Sequence, residues 1–160
     1  MANIKEIKQA KAAYEKLCAM LDDNKWKYKR DDDNFTIDTG AQGDDLPMDL
    51  KIVVDPEKML VSVISPMAFP IPEKHRVDIA VAVSLANYGI VDGCFDYNFL
   101  NGKIYFRLTS SIIENQIGKD ALEYMVFVSC STIDKFNDKF VRITLSDMSI
   151  DDIVKLIKEA

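Results

Sequence analysis

One segment of this 160-residue chain has the composition of a helix without a polar side. It begins near Pro72 or Glu73, which suit a first helical turn, and ends at Tyr88 before Gly89. Apolar residues occupy both of its sides: Val77, Ala80, Val81, Leu85 and Tyr88 on one, and Ile79, Ala82, Val83 and Ala86 on the other. A helix that is apolar on both sides must be covered on both sides. Either the sheet and another helix enclose it, or a second subunit covers one face.

Three pairs of alternating apolar and polar stretches predict antiparallel β-hairpins. Their turns are the polar stretch 30–34, residues 55–58 with proline in second position, and an Asn-Gly pair at 101–102 of type I′. Symmetric pairing about each turn predicts the registers: Tyr28 opposite Phe35 and Trp26 opposite Ile37, Val54 opposite Met59 and Ile52 opposite Val61, Phe99 opposite Ile104 and Tyr97 opposite Phe106. The third register also predicts a cross-strand ion pair between Asp96 and Arg107.

Helical periodicity and capping residues predict three further helices: from about Asn3 to Asp22, from about Gly118 into the 130s or early 140s, and from Ser149 onward. Residues 39–47 are rich in glycine and aspartate and are predicted to form a loop. We therefore expect an α+β fold of two layers, in which an antiparallel sheet of five or six strands packs against helices. The length fits a single domain over residues 1–160.

The balance of charge excludes one large class of partner. The net charge is −6, which argues against a general nucleic-acid binder because such a protein needs a basic face. The charge is uneven: residues 1–30 carry eight basic and four acidic groups, net +4, whereas residues 31–160 carry twelve and twenty-two, net −10. Two interpretations stay open: ordinary solvated surfaces, or a surface that steers an oppositely charged partner or a second copy of the chain.

Several features predict a cytoplasmic protein without a membrane anchor. No stretch of about 18 apolar residues could span a bilayer. The N-terminal residues contain acids and bases early, unlike a signal peptide. Cys18, Cys94 and Cys130 are an odd number without close spacing, which is typical neither of a disulfide framework nor of a zinc site. They are expected to be small buried apolar residues in a reducing compartment.

No pattern in the sequence predicts catalysis. His75 is the only histidine, and it falls in the first turn of a helix, where the dipole disfavours imidazolium. The acidic run 31–34 lacks the EF-hand spacing, because Phe35 and Thr36 stand where a third ligand and a glycine belong. No phosphate-binding loop or nucleophile elbow is present. We expect no catalytic residue, no metal ligand and no cofactor.

Three stretches together resemble a known bacterial family: Val83-Ser84-Leu85-Ala86-Asn87-Tyr88-Gly89, Gly93-Cys94-Phe95-Asp96-Tyr97 and Gly102-Lys103-Ile104-Tyr105-Phe106-Arg107. They are similar to the YbjN family, described as regulators of sensory transduction, most clearly over residues 75–140. At the fold level the chain also resembles the small dimeric chaperones of type III secretion, which bind an extended protein segment and have no active site. The matching polar positions are Asn87, Asp96 and Arg107, for which a helix-terminal amide and an ion pair are structural alternatives.

The expected function is that of a non-enzymatic interaction module, a chaperone-like or regulatory homodimer that docks a segment of an unidentified partner protein. The candidate surface for the dimer or the partner is the helix face that carries Val77, Val81, Leu85 and Tyr88. A partner segment would dock on an exposed sheet edge or in an apolar groove. Two alternatives remain: a small-ligand-binding domain with a pocket between sheet and helices, and an enzyme that uses carboxylates.

Overall fold

The computed structural model describes residues 2–115 and 117–160. Along this part of the chain lie α1 (Ile4–Asp23), β1 (Tyr28–Asp31), β2 (Thr36–Gln42), β3 (Pro47–Asp55), β4 (Leu60–Pro66), α2 (Arg76–Gly89), β5 (Cys94–Asn98), β6 (Lys103–Ser111), α3 (Lys119–Leu145) and α4 (Ile150–Lys158). Short 3₁₀ turns at Glu73–His75 and Ile113–Asn115 precede α2 and α3. The strands form one antiparallel sheet in the order β1-β2-β3-β4-β6-β5. The predicted α+β class is confirmed, with six strands.

The sheet and the helices make two layers. Side chains alternate along the central strands, so that every second residue of β3 and β4 is buried, as a sheet covered on one face requires. The helices α1, α2 and α3 contact the sheet, while α4 packs on α2 and α3. Both predicted capping boxes are present, at Asn3 with Glu6 and at Ser149 with Asp152. None of the helices in the described residues is long and apolar enough to cross a membrane.

The predicted hairpin registers are wrong, although the predicted faces are right. The pairs that close the loops are Asp31 with Thr36, Asp55 with Leu60, and Asn98 with Lys103. Tyr28 consequently lies opposite Thr39, Val54 opposite Val61, and Tyr97 opposite Ile104. Each loop contains four residues, so the type I′ turn is also wrong. The faces survive because every register is displaced by an even number of residues.

The same side-chain interaction occurs in all three hairpin loops, which are longer than the sequence predicts. The residue before each loop is Asp31, Asp55 or Asn98, and its side-chain oxygen accepts hydrogen bonds from the backbone N–H groups two and three residues later. Such Asx interactions replace the contacts of a tighter turn. The last loop residue is then left-handed: φ is 51° at Phe35, 54° at Met59 and 70° at Gly102.

The loop predicted at residues 39–47, in contrast to the hairpin loops, is shorter than the prediction. The strand β2 continues to Gln42 and β3 begins at Pro47, so only residues 43–46 connect them. Gly40 lies in β2, where a Cβ atom would come within 2.8 Å of the Met48 carbonyl oxygen, so the glycine serves close strand packing rather than a loop. Asp134 of α3 accepts a hydrogen bond from the backbone N–H of Asp44 at 2.9 Å, which ties this connection to the helix layer.

Candidate interaction surface

The four predicted surface residues lie along one face of α2. Val77 and Tyr88 are exposed over 61% and 95% of their surface, and Val81 and Leu85 are half-buried. The opposite face of the helix is buried in the core, through Ile79, Ala82, Val83 and Ala86. The chain therefore covers one side of its most apolar helix and leaves the other side open.

A loop residue extends this open face. Phe99, in the loop between β5 and β6, joins Val77, Ala80, Val81, Ser84 and Leu85 around an open hollow of about 390 Å³. Its ring contacts that of Tyr97 edge-on, with 6.4 Å between the centroids. None of the described residues that line the hollow carries a charge. We call these six residues the α2 face.

Sequence reasoning assigned Phe99 to a strand, opposite Ile104, and so missed its place on the α2 face. The four-residue loop moves Phe99 out of the sheet and leaves the residue 48% exposed. The sequence signal that could have found it is Asn98, whose side chain caps this loop through the N–H groups of Leu100 and Asn101.

A second hollow of about 530 Å³ opens where the end of α2 meets α3 and α4. Its apolar lining includes Leu85, Val91, Val128, Phe136 and Ile157. Its polar lining differs from that of the α2 face, because it includes Thr132, Lys135, Lys158 and, toward the start of α3, Tyr124 and Asp92. We call it the helix groove. It lies among the helices and not between the sheet and the helices, where the sequence placed a possible ligand pocket.

Asn87 is a family-matching polar position with a clear structural role. Its side-chain amide donates a hydrogen bond to the Phe95 carbonyl oxygen at 3.0 Å, and its amide oxygen accepts one from the Phe95 N–H at 2.8 Å. Phe95 belongs to β5, an edge strand of the sheet. Asn87 thus occupies the outer edge of β5 at the place where another strand would pair.

Asp96 and Arg107 form an ion pair on the open face of the sheet. The Arg107 Nε and Nη2 atoms lie 2.6 and 3.1 Å from the two carboxylate oxygens of Asp96. Arg107 pairs along the backbone with Cys94, so the ion pair runs diagonally between strands. The guanidinium holds the pKa of the Asp96 carboxyl below its usual value, whereas burial raises the pKa of the neighbouring Cys94 thiol. The ion pair therefore links the side chains of β5 and β6, which is a structural role.

The other suspected sites have structural surroundings. His75 is 2% exposed, and its Nδ1 atom lies 3.3 Å from a carboxylate oxygen of Asp78. The acidic run at 31–34 is a hairpin loop, in which the Asp31 carboxylate accepts from the Asn34 backbone and side chain. Among residues 2–115 and 117–160, no group of three or more His, Cys, Asp or Glu side chains is arranged to hold a metal ion.

The two edges of the sheet differ. Asn87 occupies part of the β5 edge, whereas the outer backbone groups of β1 form no hydrogen bond with any described residue. Lys25, Lys27 and Lys29 lie beside or on β1 and are exposed. Within the described part of the chain these three lysines have no ion-pair partner. The β1 edge is therefore both open and positively charged.

Comparison with known proteins gives a fold relation. No family model matches the chain, and none of the curated proteins matches it in sequence. The architecture is that of a two-layer α+β protein with the chaperone-like fold. A solved neighbour with this fold is YbjN from E. coli, described as a candidate transcription regulator. The two structures superpose with a TM-score of 0.57 at 14% sequence identity, over 77% of this chain and 87% of YbjN. At this identity the similarity shows the fold alone, so the resemblance to YbjN holds at the level of the fold.

Proposed function

We propose that this protein is a non-enzymatic interaction module that forms a homodimer through the α2 face and docks a segment of a partner protein, in a regulatory or chaperone-like role. The observation that carries the proposal is the open apolar side of α2. Exposed apolar patches of this kind mark interaction sites in water-soluble proteins.

A second copy of the chain suits the α2 face better than a charged partner does. The hollow is lined by apolar side chains and one serine, so that a charged group docked there would lose its hydration without gaining an ion pair. In a dimer with twofold symmetry the same patch of each copy contacts the other. An apolar face can pair with itself in this way without burying a charge. The pairing would cover Val77, Val81 and Leu85 of both copies.

The partner segment is assigned to the β1 edge. An extended segment can add to a sheet edge through backbone hydrogen bonds, and the free outer groups of β1 offer that pairing. Two β1 edges would bring lysines together, which disfavours self-pairing, whereas an acidic segment would complement them. The expected partner segment is extended and carries net negative charge.

The dimer is tested by light scattering across micromolar protein concentrations. The unaltered chain is expected to be a dimer, and Val81→Glu to be a folded monomer, because the carboxylate would be buried in the apolar contact. Leu145→Glu is a matched control, since Leu145 is exposed at the end of α3, outside the α2 face. A monomeric wild type, or a Val81→Glu protein that stays dimeric, contradicts the proposal.

The partner is tested by capture from the native host with mass spectrometry, using the same variants. We further propose that docking at the β1 edge requires the dimer, so proteins captured by the wild type and by Leu145→Glu should be lost by Val81→Glu. If Val81→Glu is folded and monomeric and still captures every partner, the link between dimer and docking is wrong.

A further inference from the structure

The two hollows of the helix layer differ in chemistry. The α2 face has no charged lining, whereas the helix groove combines apolar walls with two lysines and a threonine hydroxyl. Thr132 and Lys135 project from α3, and Lys158 projects from the end of α4. Neither Lys135 nor Lys158 has an ion-pair partner among the described residues. The two ammonium groups of the groove therefore lack an ion-pair partner beside an apolar wall, and that of Lys135 lies 5.6 Å from the centroid of the Phe136 ring.

The polar groups of the groove are separated along its length. Tyr124 and Lys135 are both on α3, and at 1.5 Å per residue they stand about 16 Å apart along the helix axis. At the Tyr124 position the one acidic side chain of the lining, Asp92, already accepts a hydrogen bond from the tyrosine hydroxyl at 2.5 Å. At the Lys135 position the ammonium and the Thr132 hydroxyl are available as donors. The apolar stretch between the two positions includes Val128 and Leu85.

This distribution fits a ligand with one anionic end and an apolar body. The groove volume of about 530 Å³ lies within the range of small-molecule sites, which are apolar with a few placed polar groups. A carboxylate at Lys135 and Lys158 would receive charge-assisted hydrogen bonds, and the hydrocarbon tail would lie on Val128 toward Tyr124. Charge complementarity at one end and apolar cover along the remainder favour an amphipathic anion over a second copy of the chain.

We propose that the helix groove binds a free single-chain amphipathic carboxylate, with the carboxylate held by Lys135 and Lys158 and the tail lying along α3 between Thr132 and Tyr124. The groove shares Leu85 with the α2 face and is also lined by Tyr88, but its lysines, Thr132 and the α3 and α4 walls lie outside the proposed dimer contact. The Thr132 hydroxyl is the third donor to the carboxylate, and Val91 covers the tail from the loop that follows α2.

The test is isothermal titration calorimetry with dodecanoate, kept below the concentration at which it forms micelles. Dodecyltrimethylammonium is the matched probe, with the same tail and the opposite charge, and acetate provides the head without the tail. We expect dodecanoate to bind, and the ammonium and acetate to bind far more weakly. Loss of a charge-assisted hydrogen bond in Lys135→Glu or Lys158→Glu is expected to weaken dodecanoate binding by about tenfold. Lys8→Glu makes the same change of charge on an exposed position of α1 and should leave the affinity unchanged.

Two further readouts separate this site from general detergent binding and from the dimer. Backbone amide shifts in an NMR titration should change at residues 124–136 and 88–92, and the Val81→Glu monomer should bind dodecanoate like the wild type. The proposal is overturned if dodecanoate fails to bind, if both long-chain probes bind equally, if Lys8→Glu weakens binding as much as Lys135→Glu, or if Val81→Glu abolishes binding. Circular dichroism of each variant excludes unfolding as the cause of a loss.

Discussion

The helices α2 and α4 contact each other, but the solvent-facing side of α4 is charged and that of α2 is apolar. In α4 the buried residues Ile153, Leu156 and Ile157 form one stripe, and Asp151, Asp152 and Lys155 face outward. The outer side of α2 is apolar instead, and no element of the described chain covers it. Apart from the exposed Ile150, packing within one chain explains the sequence pattern of α4, but it explains only half of the pattern of α2. The apolar outer side of α2, which packing within the chain does not explain, is the kind of surface that an interface requires.

The largest expected effect comes from a charge on the inner side of α2. Ala82 is fully buried, so Ala82→Glu would place a carboxylate without a partner in the core and overfill it. The free energy of unfolding should fall by about 4 kcal/mol or more, as measured by urea denaturation. Ala19→Glu, at an exposed position of α1, is the control and should stay near the wild type. Similar stability of Ala82→Glu and Val81→Glu would contradict the assignment of the two sides of α2.

A smaller effect distinguishes packing within the chain from packing between copies. Ile153→Ala removes a fully buried side chain of α4 and should cost about 2–4 kcal/mol at every protein concentration. Val81→Ala should destabilise the protein more at concentrations where the dimer forms than on dilution, because stability gained by association depends on mass action. The measurement is thermal unfolding over a wide range of concentrations. A Val81→Ala effect that does not change on dilution would show that Val81 acts within one chain.

The predictions from sequence succeeded where a local pattern decides the structure. Capping boxes, the faces of the strands and the starts of α1 and α4 follow from periodicity and from residues such as Asn3 and Ser149. Two helix boundaries differ from the prediction: α2 begins at Arg76, after a 3₁₀ turn, and α3 continues to Leu145. The composition of α2 predicts cover on both sides; the structure buries its inner side and leaves its outer side exposed within the chain, so cover of the outer side stays a prediction. These features depend on neighbours a few residues apart, which the sequence displays directly.

The failures come from contacts that a linear pattern does not display. The hairpin registers depend on whether Asp31, Asp55 and Asn98 point toward the backbone of their loops, and a symmetric pairing ignores that choice. The sequence predicts Asn87 as a helix-terminal amide, and it lies in the last turn of α2, but its hydrogen-bond partner is the backbone of Phe95 on the neighbouring strand. The helix groove joins side chains of three helices, and the sequence placed a ligand pocket elsewhere because residue types alone do not specify where packed elements leave space.

The smallest expected effect concerns how the two helices begin. Asp152 accepts hydrogen bonds from the Ser149 hydroxyl and backbone N–H, and these bonds hold the pKa of the Asp152 carboxyl below its usual value. The 3₁₀ turn that precedes α2 offers no such cap, since the His75 side chain accepts no hydrogen bond from a backbone N–H of the first turn of α2. A carboxyl whose pKa is lowered on folding stabilises the fold above its unfolded pKa of about 3.9, and the contribution is lost as the pH falls through the folded pKa.

An NMR pH titration should therefore show the Ser149 amide following this acid transition in the wild type. Asp152→Asn should abolish that response, and Asp151→Asn, in the same turn, should retain it. If the transition persists in Asp152→Asn, the capping box does not link the start of α4 to pH.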